Sequence, residues 1–201
     1  MSQVHLAIFA SGSGSNAENI INYFSDRKEV IISVIISNKT DAYVHRRAER
    51  LCVPSLTMSK SELGDSEYIL NVLRSYSIDF IVLSGYLLKV PDGLVKAFQN
   101  KIVNIHPALL PKFGGKGMYG GNVHKAVILS GEKLSGITIH FVDDHYDEGT
   151  TIFQATCPVL ENDTPEELAS RVHILEYRHF PAVIDETLKK TFPEIMNPGQ
   201  N

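Results

Sequence analysis

The chain has only two cysteines in 201 residues, Cys52 and Cys157. They lie far apart and outside any CxxC or metal-ligand spacing, which excludes a disulfide framework and implies no metal site. Long hydrophobic runs are missing as well. The first apolar stretch, Val4 to Ala10, is interrupted by His5, lacks a basic leader and ends in Ser and Gly, so it fits neither a signal peptide nor a membrane span. There is no basic excess: the formal net charge is −4, which gives no positive field to hold a nucleic-acid backbone. Internal repeats, low-complexity tracts and linkers are absent, and only Met196 to Asn201 reads as a loose tail. The expectation is a cytoplasmic protein with reduced thiols that binds neither membrane nor nucleic acid.

What is present is 43% hydrophobic and 21% charged residues, enough for one full core and too short a chain for two large domains. The expected unit is one domain over residues 1–201. Val4 to Ala10, Val30 to Ser37 and Asp79 to Ser84 read as strands buried on both faces, with a short strand at Pro54 to Met58. Helical spacing appears in Ala17 to Phe24, Tyr43 to Leu51, Glu67 to Tyr76, Pro91 to Phe98 and Val123 to Leu129. This alternation predicts an α/β fold, a doubly wound and mostly parallel sheet with ligands at the carboxyl ends of its strands. Ser135 to Asp143 and Thr151 to Val159 predict an antiparallel strand pair at the C-terminal side. A last helix begins behind Thr164, where Glu167 completes a capping box, and Pro181 is expected to break or kink it near His179.

Two stretches carry chemistry. Ile102 to Ile105 is a strand in which Asn104 and His106 stand two residues apart and so share a face, before Pro107 and Pro111 stop it. An amide donor and a titratable ring at the end of an apolar strand suit a developing oxyanion and a proton transfer. A buried Asn and His satisfied by neighbouring backbone is the plainer account, and the pair alone leaves both open. The second stretch is the loop Ser11-Gly12-Ser13-Gly14-Ser15-Asn16, between the first strand and the first helix. It has no Walker lysine and no GxGxxG, so a single phosphate held by Gly14, Ser15 and Asn16 fits better than a dinucleotide or triphosphate, with a tight capped turn as the alternative. Lys39, Arg46 and Arg47 read as a solvated helix face. Gly114 to Gly121 reads as a mobile loop beside the reactive pair, and His173 and Glu176 share a helix face.

Together these stretches resemble the glycinamide ribonucleotide formyltransferase family, 10-formyltetrahydrofolate-dependent enzymes of purine synthesis, over nearly the whole chain. The resemblance is carried by Ser11 to Asn16, Ser37-Asn38-Lys39, Asn104-Ile105-His106-Pro107-Ala108-Leu109-Leu110-Pro111, and His140-Phe141-Val142-Asp143 with Asp147 and Gly149. It implies a formyltransferase fold with a Rossmann-like, phosphate-binding half over about residues 1–100 and a folate-binding, catalytic half over about residues 101–190. It implies a catalytic trio of Asn104, His106 and Asp147, with His140 behind it. Gly14, Ser15 and Asn16 would bind the ribonucleotide's phosphate, with His173 and Glu176 on its ribose and glycinamide side. Leu87, Leu88, Lys89 and Val90 would hold the folate, together with Asn104, Asp143, Asp144 and Asp147. The sequence departs from the family in the length of its Gly114 to Gly121 loop and in Glu62, which stands roughly where some members carry an arginine.

The implied reaction moves the formyl group of 10-formyltetrahydrofolate to the amine of 5-phosphoribosylglycinamide in de novo purine synthesis, with no metal and small molecules as the partners of a monomer or homodimer. Asn104 and a protonated His106 would receive the oxyanion, and His106 with Asp147 would relay the proton. A formyltetrahydrofolate deformylase would keep the trio and need no phosphate loop. Enzymes of this fold that act on an initiator tRNA or a nucleotide sugar normally carry a further domain, for which 201 residues leave no room. A nucleotide-binding regulatory module would keep the loop and dispense with the trio.

Overall fold

Strict alternation along β1 (Val4–Phe9) turns Val4, Leu6 and Ile8 to one face and Ala7 and Phe9 to the other, with none more than 1% exposed. A strand so apolar on both faces requires cover on both, and this one lies inside a seven-stranded sheet of order β3-β2-β1-β4-β5-β6-β7. The protein, a computed structural model, is described over residues 3–197. The strands after β1 are β2 (Val30–Ser37), β3 (Ser55–Thr57), β4 (Phe80–Leu83), β5 (Ile102–His106), β6 (Leu134–Phe141) and β7 (Thr151–Pro158). β1 to β5 are parallel; β6 runs antiparallel to β5, and β7 antiparallel to β6.

Two apolar layers enclose the sheet. On one face pack α1 (Ser15–Phe24), α2 (Val44–Arg50), α6 (Gly121–Leu129) and α7 (Pro165–Thr191), through residues such as Ile20, Val44, Val127 and Phe180. On the other lie α3 (Lys60–Gly64), α4 (Ser66–Ser75) and α5 (Asp92–Ala97), through Leu63, Ile69 and Leu94. That second layer reaches β5 only at Ile102, so the same face of β5 is free of apolar cover beyond it. The chain runs outward from β1 to β3 and then returns to β4 on the other side of β1. The loops leaving β1 and β4 therefore diverge at their carboxyl ends, where such sheets open a crevice. Ser11 stitches the two loops together: its N–H donates to Gly85 O at 3.1 Å and its Oγ accepts from Leu87 N at 3.0 Å.

The sheet and its antiparallel end follow the sequence pattern; three local expectations are corrected and one short helix is added. Pro181 does not end the last helix near His179; α7 continues to Thr191. A proline removes one helical N–H, and the carbonyl this deprives is Tyr177 O, four residues back. Asn19 of α1 supplies the missing donor, its Nδ2 lying 2.8 Å from that oxygen. The short helix α3 was unexpected, although its capping box, Ser59 with Glu62, is legible in the sequence. Arg47 is not part of a solvated face: its Nε donates to Ser13 O at 2.9 Å and its guanidinium pairs with Glu18. Met196 is not loose tail, being buried in the core on α8 (Pro193–Met196); the rest of that segment, from 198 on, lies outside the described residues.

Asn19→Ala is expected to lower stability by about 0.5–1.5 kcal/mol, the usual net worth of one hydrogen bond. In a Pro181→Ala background the restored helical N–H takes over Tyr177 O, and the cost should shrink. Urea denaturation of the four proteins measures the coupling; equal costs in both backgrounds would show that Asn19 acts elsewhere.

Candidate active site

Asn104 stands directly opposite His140 in the β5–β6 register, and His106 opposite Thr138. The strand alternation that buries Val103 and Ile105 turns Asn104 and His106 to the face left without apolar cover. Each polar group is fixed by a partner. His140 donates its Nδ1–H to Phe141 O at 2.8 Å, which leaves a lone pair on Nε2 for an Asn104 Nδ2–H at 3.1 Å. One N–H of that amide is thus used, and the second remains for a ligand. His106 donates its Nε2–H to Phe113 O at 2.8 Å. Phe113 holds that carbonyl in place with a left-handed φ of 58°, a conformation that costs a non-glycine residue free energy. Thr138 braces the following loop, donating to Ala108 O and accepting from Leu110 N and Gln154 Nε2.

Asp147 closes the cluster from the β6–β7 loop, with its own φ at 57°. Its Oδ2 is 3.6 Å from His106 Nδ1 and its Oδ1 3.6 Å from His140 Nε2. Oδ2 also accepts from Gly115 N at 2.9 Å. Burial raises the Asp147 pKa, but the two imidazoles and the Gly115 N–H outweigh it, and the carboxyl sits below its ordinary value. His106 goes the other way from the expected protonated ring. Burial, with 3% of the residue exposed, outweighs the upward pull of Asp147 and of the Phe113 carbonyl, so its pKa lies below that of an ordinary imidazole. The free site therefore holds a neutral His106 whose Nδ1 lone pair faces a carboxylate.

A cavity of about 710 Å³ covers this cluster, within the range of small-molecule sites. Asn104, His106, His140 and Asp147 line one part of it, and Asn16 and Glu176 another. Asn16 Nδ2 donates to Glu176 Oε2 at 2.8 Å, and His173 Nδ1 lies 2.9 Å from the same oxygen. Glu176 raises the His173 pKa against the effect of burial. Gly14 and Ser15 form the start of α1 behind Asn16, whose first-turn N–H groups have no side-chain cap. Gly14 is required twice over: its φ is 72°, and a Cβ there would meet the Val44 side chain at 2.4 Å.

Leu87, Leu88, Lys89 and Val90 line the cavity wall together with Asp143. Asp144 lies apart: it is exposed, pairs with His145 at 3.0 Å and lines a second, smaller hollow behind Asp143. Asp143, Asp144 and His145 also bring ligand atoms within 4.8 Å of one another, with only Asp143 partly buried. Sequence reasoning missed Tyr177, which donates to Ser15 O at 3.2 Å, and the buried His124. Helical spacing from Glu176 and His173 would have signalled Tyr177. His124 gave no signal, because one His among the apolar residues of α6 has no partner in the sequence. Glu62 is committed to the α3 capping box, while Lys60 of that helix reaches the cavity.

Fold and site together define a doubly wound α/β protein whose switch-point crevice holds an amide, two imidazoles and a carboxylate. The chain matches the formyl transferase family over residues 4–184 and belongs to it. It is 45% identical over 188 residues to the chloroplastic phosphoribosylglycinamide formyltransferase of Arabidopsis thaliana, covering 89% of this chain and 63% of that one. Its identity to phosphoribosylglycinamide formyltransferase of Bacillus subtilis is 34%, covering 90% of this chain and 93% of the relative. The chain spans less than two thirds of the length of the plant relatives it matches. In structure it resembles phosphoribosylglycinamide formyltransferase from Anaplasma phagocytophilum with a TM-score of 0.83 at 35% identity, covering 91% of this chain and 85% of that one.

Asp147→Asn removes the charge that holds up the His106 pKa while keeping an oxygen for Gly115 N. The His106 titration, already low, should fall further, which NMR of the ¹⁵N-labelled imidazoles would follow; an unmoved titration would mean that the carboxylate does not govern this ring. The native state favours neutral His106, so its contribution to stability is present above the unfolded value of about 6.5 and declines as pH falls from there toward the lower folded pKa.

Proposed function

We propose that this protein transfers the formyl group of 10-formyltetrahydrofolate to the amine of 5-phosphoribosylglycinamide, a step of purine synthesis. The observation that carries the reading is one cavity shared by two groups of residues. Asn104, His106 and Asp147 line it together with Asn16 and Glu176, whose hydrogen-bonded chain runs on to His173 beside an uncapped helix N-terminus. The second group suits a ribose phosphate: the first-turn N–H groups at Gly14 to Asn16 receive the phosphate, and Glu176 the ribose hydroxyls. The names of the relatives support the same acceptor. Leu87 to Val90 and Asp143 would flank the folate, with Asp144 beside them at the edge of the cavity wall. The unit is a single domain of about residues 1–100 and 101–190 working together. A cytoplasmic monomer or homodimer belongs to the same proposal, supported by two free cysteines.

The amine's lone pair attacks the formyl carbon, and the carbonyl electrons move to oxygen. The unused Asn104 N–H stabilises that oxyanion. His106 begins neutral, so its Nδ1 takes the amine's proton, and Asp147 stabilises the imidazolium as it forms. When the intermediate collapses, the bond to N10 breaks and His106 returns the proton to that nitrogen. His106 therefore starts as a base and finishes as an acid, which its lowered pKa favours.

Asn104→Ala should reduce kcat by about 10²- to 10³-fold with a smaller change in KM, the scale of one lost oxyanion donor. Near-normal kcat with a raised KM would make Asn104 a binding residue only. Incubation with 10-formyltetrahydrofolate, with and without phosphoribosylglycinamide, tests the reaction itself: release of folate is expected only with the acceptor, and equal release without it would mark a deformylase. Inorganic phosphate should compete with the ribonucleotide and not with the folate. A phosphate-free glycinamide riboside that bound as tightly would overturn the role of Gly14, Ser15 and Asn16.

A further inference from the structure

We propose that His173 is the counter-ion of Glu176, a positioning residue whose proton makes that carboxylate compatible with the acceptor's phosphate; the inference rests on the phosphate site proposed above. Glu176 Oε2 is shared by two donors, Asn16 Nδ2 at 2.8 Å and His173 Nδ1 at 2.9 Å. Glu176 also lines the cavity, so its charge stands one side chain away from the first turn of α1. A phosphate seated there meets a second anion, whose repulsion opposes the N–H groups and the helix dipole. The α2 arginines that reach α1, Arg47 and Arg50, are both paired with Glu18. His173 is left to supply the balancing charge.

The ring is well placed to do so. It packs edge-on against Tyr177, with centroids 4.9 Å apart, and Tyr177 donates to Ser15 O at 3.2 Å. His173 is thereby tied to both Ser15 and Asn16 and acts through Glu176. Among the described residues, Glu176 is the only charged group acting on the ring, and it raises the His173 pKa against the effect of burial. Of the elements packed on α7, α1 offers the uncharged Asn16, and α6 offers His124, which feels Glu176 and His106. Protonated, His173 and Glu176 form a neutral pair beside the phosphate. Deprotonated, the ring still donates through Nδ1 but leaves the carboxylate's charge uncancelled. By linkage a bound phosphate should raise the His173 pKa further.

Ribose 5-phosphate, which lacks the acceptor's titrating amine, is the probe. Its affinity is measured by calorimetry from about pH 6 to about pH 9 in the wild type and in His173→Asn, whose amide keeps a donor near Nδ1 without a charge and whose ligand carries the same phosphate titration. Wild-type affinity should fall by about 3- to 10-fold as His173 deprotonates, beyond any change in the variant. Glu176→Gln, with no charge to cancel, should lose the same pH dependence. NMR of the ¹⁵N-labelled imidazoles should show the His173 titration moving to higher pH when ribose 5-phosphate is bound. An equal pH dependence in wild type and His173→Asn, a loss of affinity in the variant that is the same at every pH, or an unmoved His173 titration in saturating ligand would each overturn the inference while the phosphate site stands. A wild type that bound neither ribose 5-phosphate nor inorganic phosphate at any pH would instead overturn the phosphate site, and this inference with it.

Discussion

Everything in the site follows from the need to partner polar groups at the end of an apolar sheet. Asn104, His106 and His140 sit among strands whose other residues are among the most buried in the chain, and an unmet donor or acceptor there is expensive. The structure meets the need with fixed backbone carbonyls, Phe113 O and Phe141 O, each of which commits one ring nitrogen. Once those tautomers are set, the His140 lone pair takes one Asn104 N–H, and the second amide N–H and the His106 Nδ1 lone pair are left over. The reactive geometry is thus what remains of the hydrogen-bonding capacity after the backbone has taken its share. Two backbone strains, at Phe113 and Asp147, maintain that arrangement.

The sheet order was legible because buried parallel strands leave unbroken apolar runs and the helices between them carry a different period. Asn104 and His106 were legible as a pair because strand geometry alone puts alternate residues on one face. Asp147 was harder to read, since an acidic turn residue looks the same whether it caps, solvates or faces a histidine; only the fold of β6 and β7 brings it to β5. The protonation state of His106 was misread for a related reason: the sequence shows the neighbouring charge, and burial, the larger effect, depends on the whole fold. The continuity of α7 past Pro181 was equally out of reach, because the donor that satisfies Tyr177 O comes from Asn19, 158 residues away.

That same bond has a part in the site. α7 carries His173, Glu176 and Tyr177, and α1 carries Ser15, Asn16 and Asn19; hydrogen bonds among these residues join the two helices and brace the side chains between them. The Asn16–Glu176 part of the cavity wall is therefore an interface between two helices that pack on the same face of the sheet. Arg47 braces it from α2 through Ser13 O and Glu18, so its positive charge is spent on holding the loop. The proposed phosphate site would thus depend on oriented N–H groups and the α1 dipole.

The glycine-rich loop shares the cavity with both groups. Gly115 N holds Asp147 Oδ2, and a side chain at Gly114 would collide with Leu110 and press on Asp147. Residues 115–120 line the same cavity. The loop over the cavity and the carboxylate that stabilises a charged His106 are thus held by one hydrogen bond. If the loop moved away, Asp147 would lose a donor and gain water, which weakens its hold on the imidazolium through the higher dielectric. The charge that makes His106 a good base is accordingly strongest with the loop in place. Burial works against that charge: it keeps the free ring neutral, and the attraction to Asp147 offsets part of that effect.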